Sequence, residues 1–163
     1  MFPDDIQALA QQVVLAAAER GWMIATAESC TAGLVAGALT AVPGCSTVLD
    51  RGFVTYSNSA KTGMLGVPAN MIQTFGAVSE PVARAMAQGA VTHSDAKISV
   101  SITGIAGPGG GSTNKPVGLV HFASAGPAGV LHVERLLGDI GREAVRLDSV
   151  RVALGLLLDQ TNS

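Results

Sequence analysis

Short runs of β-branched and apolar residues alternate with longer segments of helical periodicity, and Gly or Pro marks almost every junction. This alternation constrains the chain more than any single residue does. Helices and strands each have an apolar face to bury, and few layered arrangements bury both kinds. Asp5 to Arg20 repeats Ile6, Leu9, Val13, Val14 and Ala17 at helical spacing and ends on Gly21. Trp22 to Ala27 reads as a strand. An Ala/Gly/Leu-rich helix then runs to Ala41, where Pro43 and Gly44 stop it. Thr47 to Ser57 reads as a strand bent at Asp50 to Gly52.

Asn58 is expected to cap a short helix through Leu65, Pro68 to open another to Phe75, and Ser79 to cap a third with Pro81 in its first turn. Lys97 to Thr103 is a strand of alternating character. Gly104 to Lys115 is a glycine-rich loop. Val117 to Ser124 and Val130 to Leu136 pair as a hairpin around Gly126, Pro127 and Gly129, and Arg142 to Asp159 is a closing helix. Early alternation with a late hairpin predicts a three-layer α/β/α sandwich with a mixed, mostly parallel sheet, in one domain over 1–163.

Composition removes several function classes. Hydrophobic residues are 48% and charged residues 13% of the 163, too apolar for a disordered chain. So few charges also lead us to expect that another subunit covers part of the surface. No apolar stretch reaches the ~20 residues of a membrane span, and Met1 to Ala10 carries Asp4 and Asp5 rather than a basic cluster. The net charge of −2 comes with no Lys/Arg stripe, which disfavours nucleic acid as a partner. Cys30 and Cys45 make no disulfide framework, and with His93, His121 and His132 they show no zinc-ligand spacing. A reducing, cytoplasmic setting is the simplest reading.

Three segments could carry chemistry. In Glu28-Ser29-Cys30-Thr31-Ala32-Gly33 a hydroxyl falls at the turn from strand to helix. A helix amino terminus there could steady a phosphate or an oxyanion. Equally, Ser29 or Thr31 could simply cap the helix. The pattern Gly-x-Ser-x-Gly is absent, so this is not a nucleophile elbow. In Arg51 to Asn58 followed by Lys61, a lysine desolvated near a hydroxyl could act as a base, against the plainer reading of a solvated surface lysine. Thr103 to Ser112 has glycines dense enough for a backbone to approach a ligand closely. It is neither a phosphate-binding loop ending in Gly-Lys-Ser/Thr nor a dinucleotide fingerprint. A loop this long in a compact domain is uncommon without a binding role, although a flexible connection is the alternative.

Together, Thr26 to Gly33 (TAESCTAG), Asp50 to Lys61 (DRGFVTYSNSAK), Gly76 to Pro81 (GAVSEP) and Ser101 to Gly118 (SITGIAGPGGGSTNKPVG) resemble the CinA carboxy-terminal domain family, the bacterial nicotinamide mononucleotide deamidases. The likeness runs over almost the whole chain, in the stand-alone form. The resemblance implies hydrolysis of the carboxamide of nicotinamide mononucleotide to nicotinic acid mononucleotide and ammonia, with no cofactor and no metal, usually in a homodimer. It implies Ser29 as nucleophile, Lys61 as base, and Tyr56 and Thr103 as supporting hydroxyls. Glu28, Cys30, Thr31, Gly33, Gly104, Ala106, Gly107 and Arg142 would bind substrate, with Arg146 second to Arg142.

The substrate phosphate is expected near the helix after Ser29 or on Gly104 to Gly111. Cys30 is the rival nucleophile. Ala32 stands where the family usually has Gly, and Ile140-Gly141 precedes Arg142 where charged residues are more usual. Three other readings stay open: a mononucleotide-binding or competence and damage-response module without chemistry, an amidase for a different small amide, and a structural or interaction role.

Overall fold

The computed structural model describes residues 1–163. In chain order the elements are α1 (Asp4–Arg20), β1 (Ile24–Glu28), α2 (Leu34–Thr40), β2 (Leu49–Val54), α3 (Asn58–Leu65), α4 (Ala69–Phe75), α5 (Glu80–Thr92), β3 (Ile98–Gly104), β4 (Leu119–Gly126), β5 (Gly129–Leu136) and α6 (Arg142–Thr161). A single 3₁₀ turn, Cys45–Thr47, precedes β2. The five strands form one sheet in the order β2-β1-β3-β4-β5. β1 is parallel to β2 and β3, and β4 is antiparallel to β3 and β5. Only β4 therefore runs against the others, which is the mixed α/β sheet read from the alternation of elements.

The sheet is covered on both faces. Ile98, Val100 and Ile102 of β3 join Ile24 of β1 and Phe122 of β4 in a core closed by α1, α2 and α6. On the other face Ala25 and Ala27 meet Val82 and Met86 of α5, Leu65 of α3 and Ile72 of α4. Each large side chain buried in this way is worth about 1.5–3 kcal/mol. The polar residues of β3 are buried too: Ser99 Oγ donates to Ala87 O at 2.6 Å and Ser101 Oγ to Ala83 O at 2.6 Å. Small side chains make that close approach possible, since Ala83 and Ala87 of α5 pack directly on Ala123 and Ala125 of β4.

Local chemistry sets the boundaries. The bend expected at Asp50 to Gly52 is a bulge: Ile24 pairs with Leu49 and Ala25 with Arg51, leaving Asp50 extra. The Asp50 carboxylate accepts from Asp95 N at 3.0 Å and from its neighbour Arg51. Asn58 does not cap α3. Ser57 does, its hydroxyl accepting from Ala60 N at 3.1 Å, because Ser57 is the residue with extended backbone before the first turn. Ser79 stands at the cap position of α5, yet its hydroxyl donates to Gly76 O at 2.8 Å instead. α2 begins only at Leu34, because Ala32 (φ 47°) and Gly33 (φ 96°) turn the chain through the left-handed region first.

The chain leaves β1 toward β2 and leaves β3 toward β4, on opposite sides. A crevice therefore opens between the carboxyl ends of β1 and β3, the usual ligand position in such sheets. No helix is long and apolar enough to cross a membrane.

Candidate active site

Ser29 is the first residue after β1, at the mouth of that crevice. Its N–H donates to Ile102 O of β3 at 3.0 Å, and Thr55 N, just past β2, donates to Glu28 O at 2.9 Å. The nucleophile candidate is thus stitched to both neighbouring strands. Ser29 is not a helix cap, since the cap position of α2 is Gly33.

Lys61 projects from α3 beneath this turn and is only 1% exposed, so it is not a solvated lysine. Its Nζ lies 3.1 Å from Ser29 Oγ, 2.9 Å from Thr55 O and 3.4 Å from Tyr56 O. Burial pushes its pKa below the ordinary lysine value, and no carboxylate pairs with it. Desolvation therefore favours the neutral amine that a base requires. Cys30, the rival, is buried, and burial pushes its thiol up to about 11. It stays protonated near neutrality and makes a poor nucleophile.

A cavity of about 280 Å³ opens over this pair. Of the residues proposed from sequence, Ser29, Cys30, Tyr56, Lys61 and Thr103 line it, together with Gly104, Ala106, Gly107 and Arg142. Thr103 Oγ1 donates to Ala77 O at 2.8 Å and so fixes one wall. The Arg142 guanidinium spans the mouth, donating to Gly107 O at 2.8 Å and to Tyr56 Oη at 3.0 Å. Arg146 lies behind the wall and donates to Cys30 O at 3.0 Å and Thr31 O at 3.2 Å. Of the two arginines, Arg142 is the one that faces the cavity. The backbone N–H groups of Cys30, Ala106, Gly107, Gly109 and Gly110 donate to no acceptor within the chain, which leaves them free for an anion.

Glu28, Thr31 and Gly33 do not line the cavity. Glu28 is fully buried, and its carboxylate accepts from Val35 N at 2.9 Å, Ala36 N at 3.1 Å and Thr26 Oγ1 at 3.1 Å. The amino terminus of α2, expected to be open for a phosphate, is filled by this side chain, because a carboxylate satisfies the orphan N–H groups of a helix start. Thr31 is buried with its hydroxyl unpartnered, and Gly33 serves the turn. The structure also adds wall residues that the sequence did not single out, Asn58, Ala77 and Val78, beside Ile105, Gly109 and Gly110 of the loop expected to take the phosphate. The Gly76 to Pro81 stretch signalled two of them, but Ala77 and Val78 carry no reactive group to single them out.

The model of the CinA C-terminal domain matches residues 6–161. The chain belongs to the CinA C-terminal domain family. A CinA-like protein of Anaeromyxobacter sp. (strain K) is 52% identical over 158 residues, covering 96% of this chain and 38% of that relative. A putative competence-damage inducible protein of Symbiobacterium thermophilum is 54% identical over 126 residues, covering 77% of this chain and 30% of the relative. The chain thus spans well under half the length of these curated relatives.

Solved structures of CinA proteins share the whole fold. The competence/damage inducible protein CihA from Agrobacterium tumefaciens superposes with a TM-score of 0.97 at 54% identity, covering 100% of this chain and 99% of that one. A CinA superfamily protein from Klebsiella pneumoniae gives a TM-score of 0.90 at 35% identity, covering 96% and 98%.

Proposed function

We propose that this CinA-domain chain is a nicotinamide-nucleotide amidase that hydrolyses nicotinamide mononucleotide to nicotinic acid mononucleotide and ammonia. The observation that carries this reading is the buried, unpaired Lys61 amine 3.1 Å from Ser29 Oγ inside a cavity. That arrangement is what nucleophilic acyl transfer needs from a hydroxyl and a base.

In this mechanism neutral Lys61 takes the Ser29 proton as Oγ attacks the carboxamide carbon. The Cys30 N–H, next to the nucleophile, and the free N–H groups of the glycine-rich loop are the donors at hand for the oxyanion. The tetrahedral intermediate collapses with loss of ammonia, protonated by Lys61, and leaves an acyl-Ser29 ester. Water attacks the ester with the same lysine as base, and the acid product leaves. With α2 closed by Glu28, the phosphate belongs on Gly107 to Gly110 with Arg142 beside it. No step calls for a metal or cofactor. A homodimer in the cytoplasm completes the proposal, and sedimentation of the purified chain reads its subunit count.

Incubation with nicotinamide mononucleotide should release ammonia, and Ser29→Ala should stop it. A chain that binds the mononucleotide without turnover would instead be the non-catalytic module suggested by relatives named for competence and damage response. Turnover of unphosphorylated pyridine amides at equal efficiency would make it a general amidase.

A further inference from the structure

Glu28 is bound at both ends of the loop that carries the nucleophile. Its backbone carbonyl accepts Thr55 N at 2.9 Å, and its side chain holds Val35 N and Ala36 N of α2 at 2.9 and 3.1 Å. Between these anchors the chain makes the turn Ser29 to Gly33, with Ala32 in the left-handed region at φ 47°. A non-glycine residue keeps that conformation only where its surroundings over-determine it. Thr55 extends the connection: while its N–H is held by Glu28, its carbonyl accepts Lys61 Nζ at 2.9 Å. One residue thus joins the peptide that carries Ser29 to the residue that anchors Lys61.

The Glu28 carboxylate is fully buried and has three donors: Val35 N, Ala36 N and Thr26 Oγ1. No cation pairs with it. A buried carboxylate costs free energy unless its oxygens are fully bonded, and a neutral hydroxyl cap would serve α2 with less burial of charge. A hydroxyl, however, is too short to reach from the end of β1 across the turn to α2.

We infer that Glu28 is a positioning residue of the Ser29–Lys61 pair, its carboxylate holding the α2 amino terminus so that Ser29 Oγ stays within reach of Lys61 Nζ. The inference rests on the acyl-transfer reading of the site. Glu28→Gln keeps the shape but turns an amide NH₂ toward one of the two backbone N–H groups, so that donor faces donor. Because misplacement by about 1 Å can cost ~10²-fold, kcat should fall by roughly 30- to 100-fold with KM within about threefold. The acid limb of the kcat profile should keep its midpoint, because burial is the main cause of the lowered Lys61 pKa and the Glu28 side chain is not among its contacts.

Crystals of Glu28→Gln should show Ser29 Oγ and Lys61 Nζ beyond hydrogen-bond distance, with the wild type at contact. Thr26→Val, which removes a single donor, should lose ~3- to 10-fold in kcat, as the loss of one hydrogen bond implies, and it reads the same quantities if Glu28→Gln does not fold. A folded variant with wild-type kcat and an unchanged Ser29–Lys61 separation overturns the inference, and so does a moved acid limb. If the wild-type chain releases no ammonia, the amidase reading fails on that result alone, and the crystallographic separation still decides the role of Glu28.

Discussion

Lys61 Nζ reaches Ser29 Oγ at 3.1 Å across a gap of thirty-two residues in sequence, and no carboxylate stands beside it. A lysine held only by carbonyl oxygens and a hydroxyl, away from water, has its pKa lowered by burial. In the proposed role of base it works only when neutral. Activity should therefore be present above the depressed lysine pKa and fall as pH drops through it. Ser29→Ala and Lys61→Ala should each lose more than ~10²-fold in turnover. Lys61→Arg should not rescue, because a guanidinium does not give up its proton. Steady-state ammonia release across pH checks all three. The same shift affects stability: the unfolded lysine holds its proton at a higher pH than the buried one, so stability should rise with pH between the depressed value and 10.5.

The second prediction concerns Cys30. Its thiol is buried and pushed up to about 11, so near neutrality almost none is thiolate. Cys30→Ser should stay within about threefold of wild-type turnover, because the thiol takes no part in the proposed chemistry and the change in volume is small. Alkylation of the native protein by iodoacetamide, followed by mass spectrometry, should modify Cys45 well before Cys30. A dead Cys30→Ser beside an active Ser29→Ala would reverse the assignment of nucleophile.

The order of elements was legible because periodicity changes type at each Gly or Pro. Ser29 and Lys61 were singled out by the family motifs they sit in, since the local residues alone left a helix cap and a solvated lysine as the plainer readings, and the glycine-rich loop stood out by its permissive backbone. Glu28, expected at the substrate, closes α2 instead: the sequence places a carboxylate beside Ser29, but only the left-handed turn at Ala32 and Gly33 brings α2 back over it. Ser99 and Ser101 were opaque for a similar reason. Alternation suggests a strand with one polar face, and it is the tertiary approach of α5 that gives those hydroxyls buried carbonyl partners. Ala77 and Val78 line the cavity through position alone, set by the bond from Thr103 to Ala77 O.

Arg142 joins two walls of the cavity, using one nitrogen for Gly107 O and another for Tyr56 Oη. An ammonium is a point charge on a flexible stem and cannot hold both partners with that planar fork. Arg142→Lys should raise KM for the mononucleotide by roughly tenfold while kcat changes by less than about threefold. The effect should shrink for a substrate lacking the phosphate, since the guanidinium stands beside the N–H groups proposed to hold it. A large loss in kcat at constant KM would move Arg142 from binding into the chemistry.

The last prediction links packing to catalysis through Gly89 of α5. A methyl group there would overlap Leu65 O and sit 3.0 Å from Leu65 Cβ, so α3 and α5 cross in direct contact at this glycine. A backbone carbonyl cannot step aside as a side-chain end can, so α3 must move or tilt. Overpacking of this kind costs about 1–3 kcal/mol or more, and Gly89→Ala should lower Tm by at least ~3 °C for a domain of this size. α3 also carries Lys61, so the displaced helix should draw the amine away from Ser29. In thermal melts and kinetics run on one preparation, Gly89→Ala should lose activity at temperatures where it is still fully folded. Gly63→Ala, on α3 itself and with open space around it, should keep both stability and turnover.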